Sequence, residues 1–251
     1  MTKKDKFTID LLISFGIFGK GKDVGELIKG EKPTLDNKKS DGLKTATFSM
    51  GCFWGPDSLF GAAPGVIRTR VGYSGGKKED PTYHSLGDHT ETIQIDYDPN
   101  QISYDELVKI FWHNHDPTHL KSTQYMSIIF FHDEEQKKIA KKSKEKVQEG
   151  YSRKMVTGVR PFSKFFIAED YHQKYNLSRN KNIYKAYKQI YPDMKDFVNS
   201  TAVARANGYV SGHGNLNSKE DLKELGLTDK GKEVLYEKWK SSGGEIKCSL
   251  E

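Results

Sequence analysis

The sequence predicts an α+β protein: a mixed two-layer α/β sandwich whose central mixed or antiparallel sheet carries flanking helices and long coil segments. Three observations predict it. Segments of period-two hydrophobicity interleave with segments of helical period. The 251-residue chain is long enough to bury a proper core and is read as one globular domain with appendages. No internal repeat is visible, which leaves solenoids and propellers without support. The expected division is an N-terminal arm over 1–44, a catalytic unit over 45–210, and a helical segment with a glycine-rich tail over 211–251.

The elements follow in order. "TATFSM" is β-branched and aromatic and reads as a buried strand. "CFWGPDSLFGAA" places Trp54, Ser58, Leu59 and Ala62 at helical spacing. "VIRTRVGYSGG" alternates from Val66 to Tyr73 and stops at a double-glycine turn, so a strand is expected. A loop covers Lys77 to Asp88, and "ETIQIDYD" alternates again from Glu91 to Asp98. Ser103 three residues before Glu106 is a capping box that opens an amphipathic helix with Leu107, Ile110 and Phe111. "SIIFF" is a further strand, and Asp133 starts a lysine-rich helix that Gly150 should end in left-handed conformation. Further helices are expected between Asp170 and Arg205, and two weaker ones in the last fifty or so residues.

Composition narrows the function classes. The net charge of +6 is only mildly basic and does not by itself imply nucleic acid. Two cysteines are too few for a disulfide framework, so a reducing, cytoplasmic setting is expected. The apolar run from Phe7 to Phe18 is interrupted by Asp10 and is too short to span a bilayer.

"SMGCFWG" sets Cys52 between the glycines Gly51 and Gly55, beside Phe53 and Trp54. Glycine allows a sharp turn or a close approach, and the two rings make an apolar wall for a small group. Coming off a strand, Cys52 should sit at a helix start, where free N–H groups and the positive end of the dipole lower a thiol pKa. A nucleophile is favoured over a space-filling cysteine.

At these residues the chain resembles the A-type peptide methionine sulfoxide reductases. "GCFWG", "VGYSGG", "PTYH", "DHTE", "DYDP", "FWHNHDPT", "TQY" and "AEDYHQKY" occur in order between about Thr45 and Tyr209. The resemblance implies reduction of the S epimer of methionine sulfoxide, free or in proteins, without metal or organic cofactor and with thioredoxin (or dithiothreitol) as external reductant. It implies Cys52 as the nucleophile, Phe53 and Trp54 as the methyl-binding pair, and Glu91 as the acid that protonates the sulfoxide oxygen. Tyr83 and Tyr125 match the hydroxyls that bind the same oxygen. His172 is expected to hydrogen-bond near the pocket. Cys248, beside Gly243 and Gly244, is expected to resolve a Cys52 sulfenic acid into a Cys52–Cys248 disulfide. Without the family, Glu91 would be a solvated strand-edge residue. The pattern departs where Leu120, Lys121 and Ser122 replace an acid-bearing stretch before "TQY".

Two rival readings stand beside this one. His113, His115 and His119, with Asp116, could serve a metal-binding hydrolase, although a spacing of two points histidines of one helix in different directions. Lys137, Lys138, Lys141, Lys142, Lys144 and Lys146 could make a basic nucleic-acid-binding face, but interspersed glutamates favour an ordinary solvated helix. The expected partners are therefore thioredoxin and oxidised substrate, with no nucleic acid, no membrane and a monomeric state.

Overall fold

A computed structural model describes residues 27–38 and 41–244. The strands are β1 (Lys44–Met50), β2 (Val66–Ser74), β3 (Thr90–Tyr97), β4 (Ser127–Phe131), β5 (Gly158–Pro161) and β6 (Phe165–Ile167). They form one sheet in the order β5-β4-β1-β3-β2-β6. Every pairing is antiparallel except β4 with β5, so the sheet is mixed as expected. The α-helices are α1 (Trp54–Gly61), α2 (Tyr104–His113), α3 (Glu134–Gln148), α4 (Tyr175–Ser178), α5 (Lys181–Ile190), α6 (Met194–Asn199), α7 (Thr201–Tyr209) and α8 (Asp229–Ser241).

Alternation along β1 and β3 sends Phe48, Ile93, Ile95 and Tyr97 into a core shared with Leu107 and Phe111 of α2 and Ala140 of α3. A second core joins Leu27 and Ile28 to the later helices, through Leu177, Phe197, Leu222, Leu235 and Trp239. Burying such side chains contributes roughly 1.5–3 kcal/mol each. A small third cluster of Phe53, Val71, Tyr73 and Ala168 lies where α1 meets β2.

Helix α1 is held unusually close. A Cβ on Gly61 would lie 2.6 Å from the Ala204 carbonyl oxygen, and one on Gly208 would lie 2.5 Å from Ala62 Cβ, so α1 and α7 meet backbone to backbone. Beneath α1, Lys174 Nζ donates to Asp57 Oδ1 at 2.7 Å and to the Thr69 carbonyl oxygen at 2.6 Å. The Thr69 hydroxyl donates to the same Asp57 oxygen at 2.6 Å, and the Lys174 N–H reaches Asp57 Oδ2 at 3.0 Å. Lys174 is wholly buried and takes left-handed φ of 52°, so its main chain is bent to deliver that ammonium.

The capping box at Ser103 and Glu106 is present, and Asp133 caps α3. Three expectations fail. Gly150 follows α3 but does not adopt positive φ: the helix closes on Glu149 in right-handed conformation. Strands β5 and β6 lie in the stretch between α3 and Asp170, where the sequence offered no strand pattern. They are four and three residues long, too short for alternation to register. Along β2 a register shift lies between Val66 and Arg68, and the alternation ends at Val71, beyond which every residue to Ser74 is buried where β6 pairs alongside. Among the described residues no helix is long and apolar enough to cross a membrane. The run from Phe7 to Phe18 and Cys248 lie outside the described residues.

Candidate active site

Chain geometry at the end of β1 creates the site. Gly51 takes φ of 96°, turning the chain out of the strand and into α1. That turn leaves Cys52 exposed while Phe53, its neighbour, is 1% exposed. Register then brings in the acid. Glu91 sits opposite Tyr73 of β2, two residues before Ile93, which pairs with Phe48 of β1. The start of β3 therefore lies beside the Gly51–Cys52 turn.

Glu91 is 1% exposed. This corrects its solvated reading: β3 is a central strand, and Glu91 shares a face with Ile93, Ile95 and Tyr97. One carboxylate oxygen accepts the Phe53 N–H at 3.0 Å, the other the Gln124 side-chain amide at 2.8 Å. Burial pushes the Glu91 pKa up, against the lowering effect of the Gln124 and Phe53 hydrogen bonds.

The Cys52 thiol is also raised, contrary to the lowering expected from a helix start. Loss of water is the largest cause; the Trp54 N–H lowers the value, and the charge of Glu91 raises it. The physical reason lies in who takes the helix terminus. The Phe53 N–H, at the mouth of α1, is spent on the Glu91 carboxylate, so the dipole serves the acid as much as the thiol. Both groups are raised, and the Glu91 charge is one cause of the shift at Cys52, so the two sites are electrostatically coupled. Moving a proton from sulfur to carboxyl produces a thiolate and a carboxylic acid together.

The aromatic groups close the site. Trp54 stacks on Tyr175 at 3.6 Å with rings 6° apart, and its indole N–H donates to His172 Nδ1 at 3.2 Å. His172 Nδ1 is thus an acceptor, and burial holds the imidazole pKa below its ordinary value although Glu169 pulls the other way. Its proton is then on Nε2, which is buried without a partner among the described residues. Tyr83 packs its ring 4.7 Å from His172 and fastens its own N–H to Glu169 at 3.0 Å. Glu169 also accepts from the Tyr73 hydroxyl at 2.7 Å. The Tyr125 hydroxyl bonds Tyr83 and is pushed up to about 12, first by burial, then by that bond and by the nearby charges of Glu91, Tyr83 and Cys52.

Cys52, Phe53, Trp54, Tyr83, Glu91 and Tyr125 are therefore brought together, with His172 bonded as expected. Sequence reasoning missed Gln124, Glu169 and Tyr175 as partners, although "TQY" and "AEDYHQKY" contain all three. It also missed the Asp57–Lys174 clamp, whose partners lie 117 positions apart.

Several of the rival residues are otherwise engaged. His113 Nδ1 bonds the Lys109 carbonyl at 2.7 Å; His115 bonds the Phe111 carbonyl at 2.8 Å and the Thr157 hydroxyl at 3.0 Å. Among the described residues no three His, Cys, Asp or Glu side chains converge as metal ligands. On α3, Lys137 pairs with Glu134, and Lys144 donates to the Thr157 carbonyl.

A strand-turn-helix thiol beside a buried carboxyl and an aromatic wall is the arrangement of a thiol oxidoreductase. Residues 44–205 match the family model for peptide methionine sulfoxide reductase, and the chain belongs to that family. A peptide methionine sulfoxide reductase of Drosophila melanogaster is 43% identical over 197 residues, covering 76% of this chain and 78% of its own. One from Methanococcus maripaludis is 45% identical over 150 residues, covering 56% and 96% respectively. The reduced crystal structure of Mxr1 from Saccharomyces cerevisiae superposes with a TM-score of 0.53 at 31% identity, covering 57% of this chain and 90% of that one. The methionine sulfoxide reductase A of Corynebacterium diphtheriae gives 0.50 at 32% identity, over 57% and 77%. The chain is thus an oxidoreductase for peptide methionine sulfoxide.

Proposed function

We propose that Cys52 and Glu91 carry the reduction of methionine-S-sulfoxide by exchanging one proton. The observation that supports this most is the shared siting of the two groups. Glu91 is buried, bonded to the Phe53 N–H of the Cys52 turn, and raises the thiol pKa by its charge. The Cys52 thiolate attacks the sulfoxide sulfur while the Glu91 carboxyl delivers its proton to the oxygen. A sulfur–sulfur bond forms. The hydroxyl then passes to Cys52 sulfur, and methionine leaves as the thioether. The net change is thiol plus sulfoxide to sulfenic acid plus thioether, which balances.

Phe53 and Trp54 wall off the methyl group, and the Tyr83–Tyr125 pair offers hydroxyls to the oxygen. Cys248 resolves the sulfenic acid, expelling water as the Cys52–Cys248 disulfide forms. The described chain supplies a starting point for that step. Ser242 donates to the Val210 carbonyl at 3.0 Å, and Ser211 bonds Ser58 of α1 at 3.2 Å. Gly244, whose N–H donates to the Trp239 carbonyl of α8 at 3.0 Å, precedes Cys248 by four residues. Thioredoxin, or dithiothreitol in its place, then reduces the disulfide, with no cofactor in the cycle and a reducing, cytoplasmic compartment as its setting.

A stoichiometry test decides it. Reduced protein is mixed with excess methionine sulfoxide and no reductant, and methionine formed and thiols lost are counted for wild type and Cys248→Ser. One methionine and two thiols per wild-type chain, with a trappable sulfenic acid in the variant, are expected. One methionine with Cys248 still free would remove Cys248 from the cycle. No methionine at all would overturn the reading.

A further inference from the structure

One cation sits at the site with nothing to do in the reaction above. Lys121 belongs to the loop that leads into the Thr123–Tyr125 turn. Its ammonium lies 3.3 Å from where a Cβ on Gly51 would stand, so it rests against the turn that presents Cys52. Consecutive Cα atoms are about 3.8 Å apart, so this charge lies within roughly two residue lengths of the Cys52 backbone. Its protein partners are poor. The Ser127 hydroxyl is 3.5 Å away, at the limit of a hydrogen bond. Asp116 is the acid that acts on it, and that carboxylate is already bonded to the Thr118 N–H and hydroxyl, both below 3 Å. His115, also close, is turned to Phe111 and Thr157. Partial burial lowers the Lys121 pKa, so the ammonium has lost water without gaining a counter-ion bond. Beside it Leu120 is 79% exposed, an aliphatic side chain on the same rim.

We propose that Lys121 is a specificity residue: it receives the carboxylate of an aspartate or glutamate next to the methionine sulfoxide, so that this reductase favours acidic oxidised segments. The inference rests on Cys52 being the nucleophile. The methionine side chain must extend its sulfur to Cys52, and an Asp or Glu on the neighbouring residue has a side chain of similar length that can extend to the same rim, where the Lys121 ammonium lies against Gly51. A carboxylate there would supply the charge-assisted bond that the protein withholds. Leu120 would cover the aliphatic part of the incoming chain. Rim charge pairs act chiefly on encounter and on partner choice, so discrimination should appear in kcat/KM and weaken with salt.

The test uses the full chain with dithiothreitol as reductant. Blocked tripeptides with central methionine-S-sulfoxide carry Asp, Ala or Lys on one flank at a time. Wild type should prefer Asp over Lys on at least one flank, by on the order of fivefold in kcat/KM at low salt, since an exposed pair contributes up to about 1 kcal/mol. The preference should shrink at 0.5 M salt, roughly where the screening length falls to a few ångströms. Lys121→Gln should bring the Asp-to-Lys ratio to about one, and Lys121→Glu should invert it. A wild-type ratio near one on both flanks, or a ratio that survives in Lys121→Gln, overturns the subsite. The wild-type salt series decides the matter even if a variant fails to fold. Equal turnover of all peptides sinks the subsite alone. Turnover of none sinks the reading of Cys52 and the subsite with it.

Discussion

Helix α1 has two charged clusters within a single turn of each other, and they are built to opposite ends. Below it, Asp57, Lys174 and Thr69 form a closed set: the Lys174 ammonium has three acceptors, and both Asp57 oxygens are bonded. At its mouth, Cys52 and Glu91 are both held above their ordinary pKa values, and His172 keeps a buried nitrogen without a partner among the described residues. The first cluster holds its charges fixed and so positions the helix. The second leaves a proton to be moved and an opening for substrate. Full satisfaction fixes a cluster in place, whereas incomplete satisfaction is where chemistry can occur.

The comparison breaks most sharply at the nucleophile. Cys52→Ser should abolish turnover while leaving the melting curve in place, because a serine hydroxyl is a far weaker nucleophile at neutral pH and Cys52 contributes little to the core. Multi-turnover reduction by that variant, measured as methionine release, would end the assignment. Glu91→Gln comes next. Loss of a positioned general acid should slow single-turnover methionine formation by about 10²–10⁴-fold with the fold intact. An unchanged rate would take Glu91 out of the acid role.

The closed cluster should respond in the other currency, stability. Lys174→Ala leaves Asp57 buried without its cation, and urea unfolding should show a loss of roughly 3–5 kcal/mol. Turnover measured well below the new midpoint should fall far less than in Glu91→Gln. A drop in rate with no drop in stability would mean that the two clusters are not separate in function. The smallest effect is expected at the α1–α7 contact. Gly208→Ala puts a methyl 2.5 Å from Ala62 Cβ and 2.7 Å from the Ser58 carbonyl oxygen, an overpacking cost of about 1–3 kcal/mol by thermal or urea melt. A neutral result would show that the two helices can separate without cost.

Much of this was legible in the chain. The turn at Gly51, the strand before it and the helix after it follow from glycine and period, and the ordered motifs carry the identity of the site. Glu91 was legible in principle: its alternation with Ile93, Ile95 and Tyr97 sets it on the buried face, and only the assumption of an edge strand hid this. Its effect on Cys52 was not legible. The helix dipole argued for a depressed thiol, and nothing local to "GCFWG" shows that a carboxylate from another strand captures the Phe53 N–H. The same holds for Lys174 and Asp57. Their pairing depends on a left-handed lysine 117 positions away, a tertiary fact that periodicity cannot reach.

The proposed proton exchange requires Cys52 and Glu91 to be electrostatically coupled, and one titration tests that coupling directly. In a Cys248→Ser background the thiolate absorbance of Cys52 is followed against pH, with and without Glu91→Gln. Because the Glu91 charge contributes to raising the thiol, removing it should move the Cys52 titration to lower pH. The alkaline limb of the wild-type rate should lie above the ordinary thiol range, because burial and the Glu91 charge raise the Cys52 thiol. A Cys52 titration that stays in place or moves upward in Glu91→Gln would contradict the coupling and with it the mechanism drawn here.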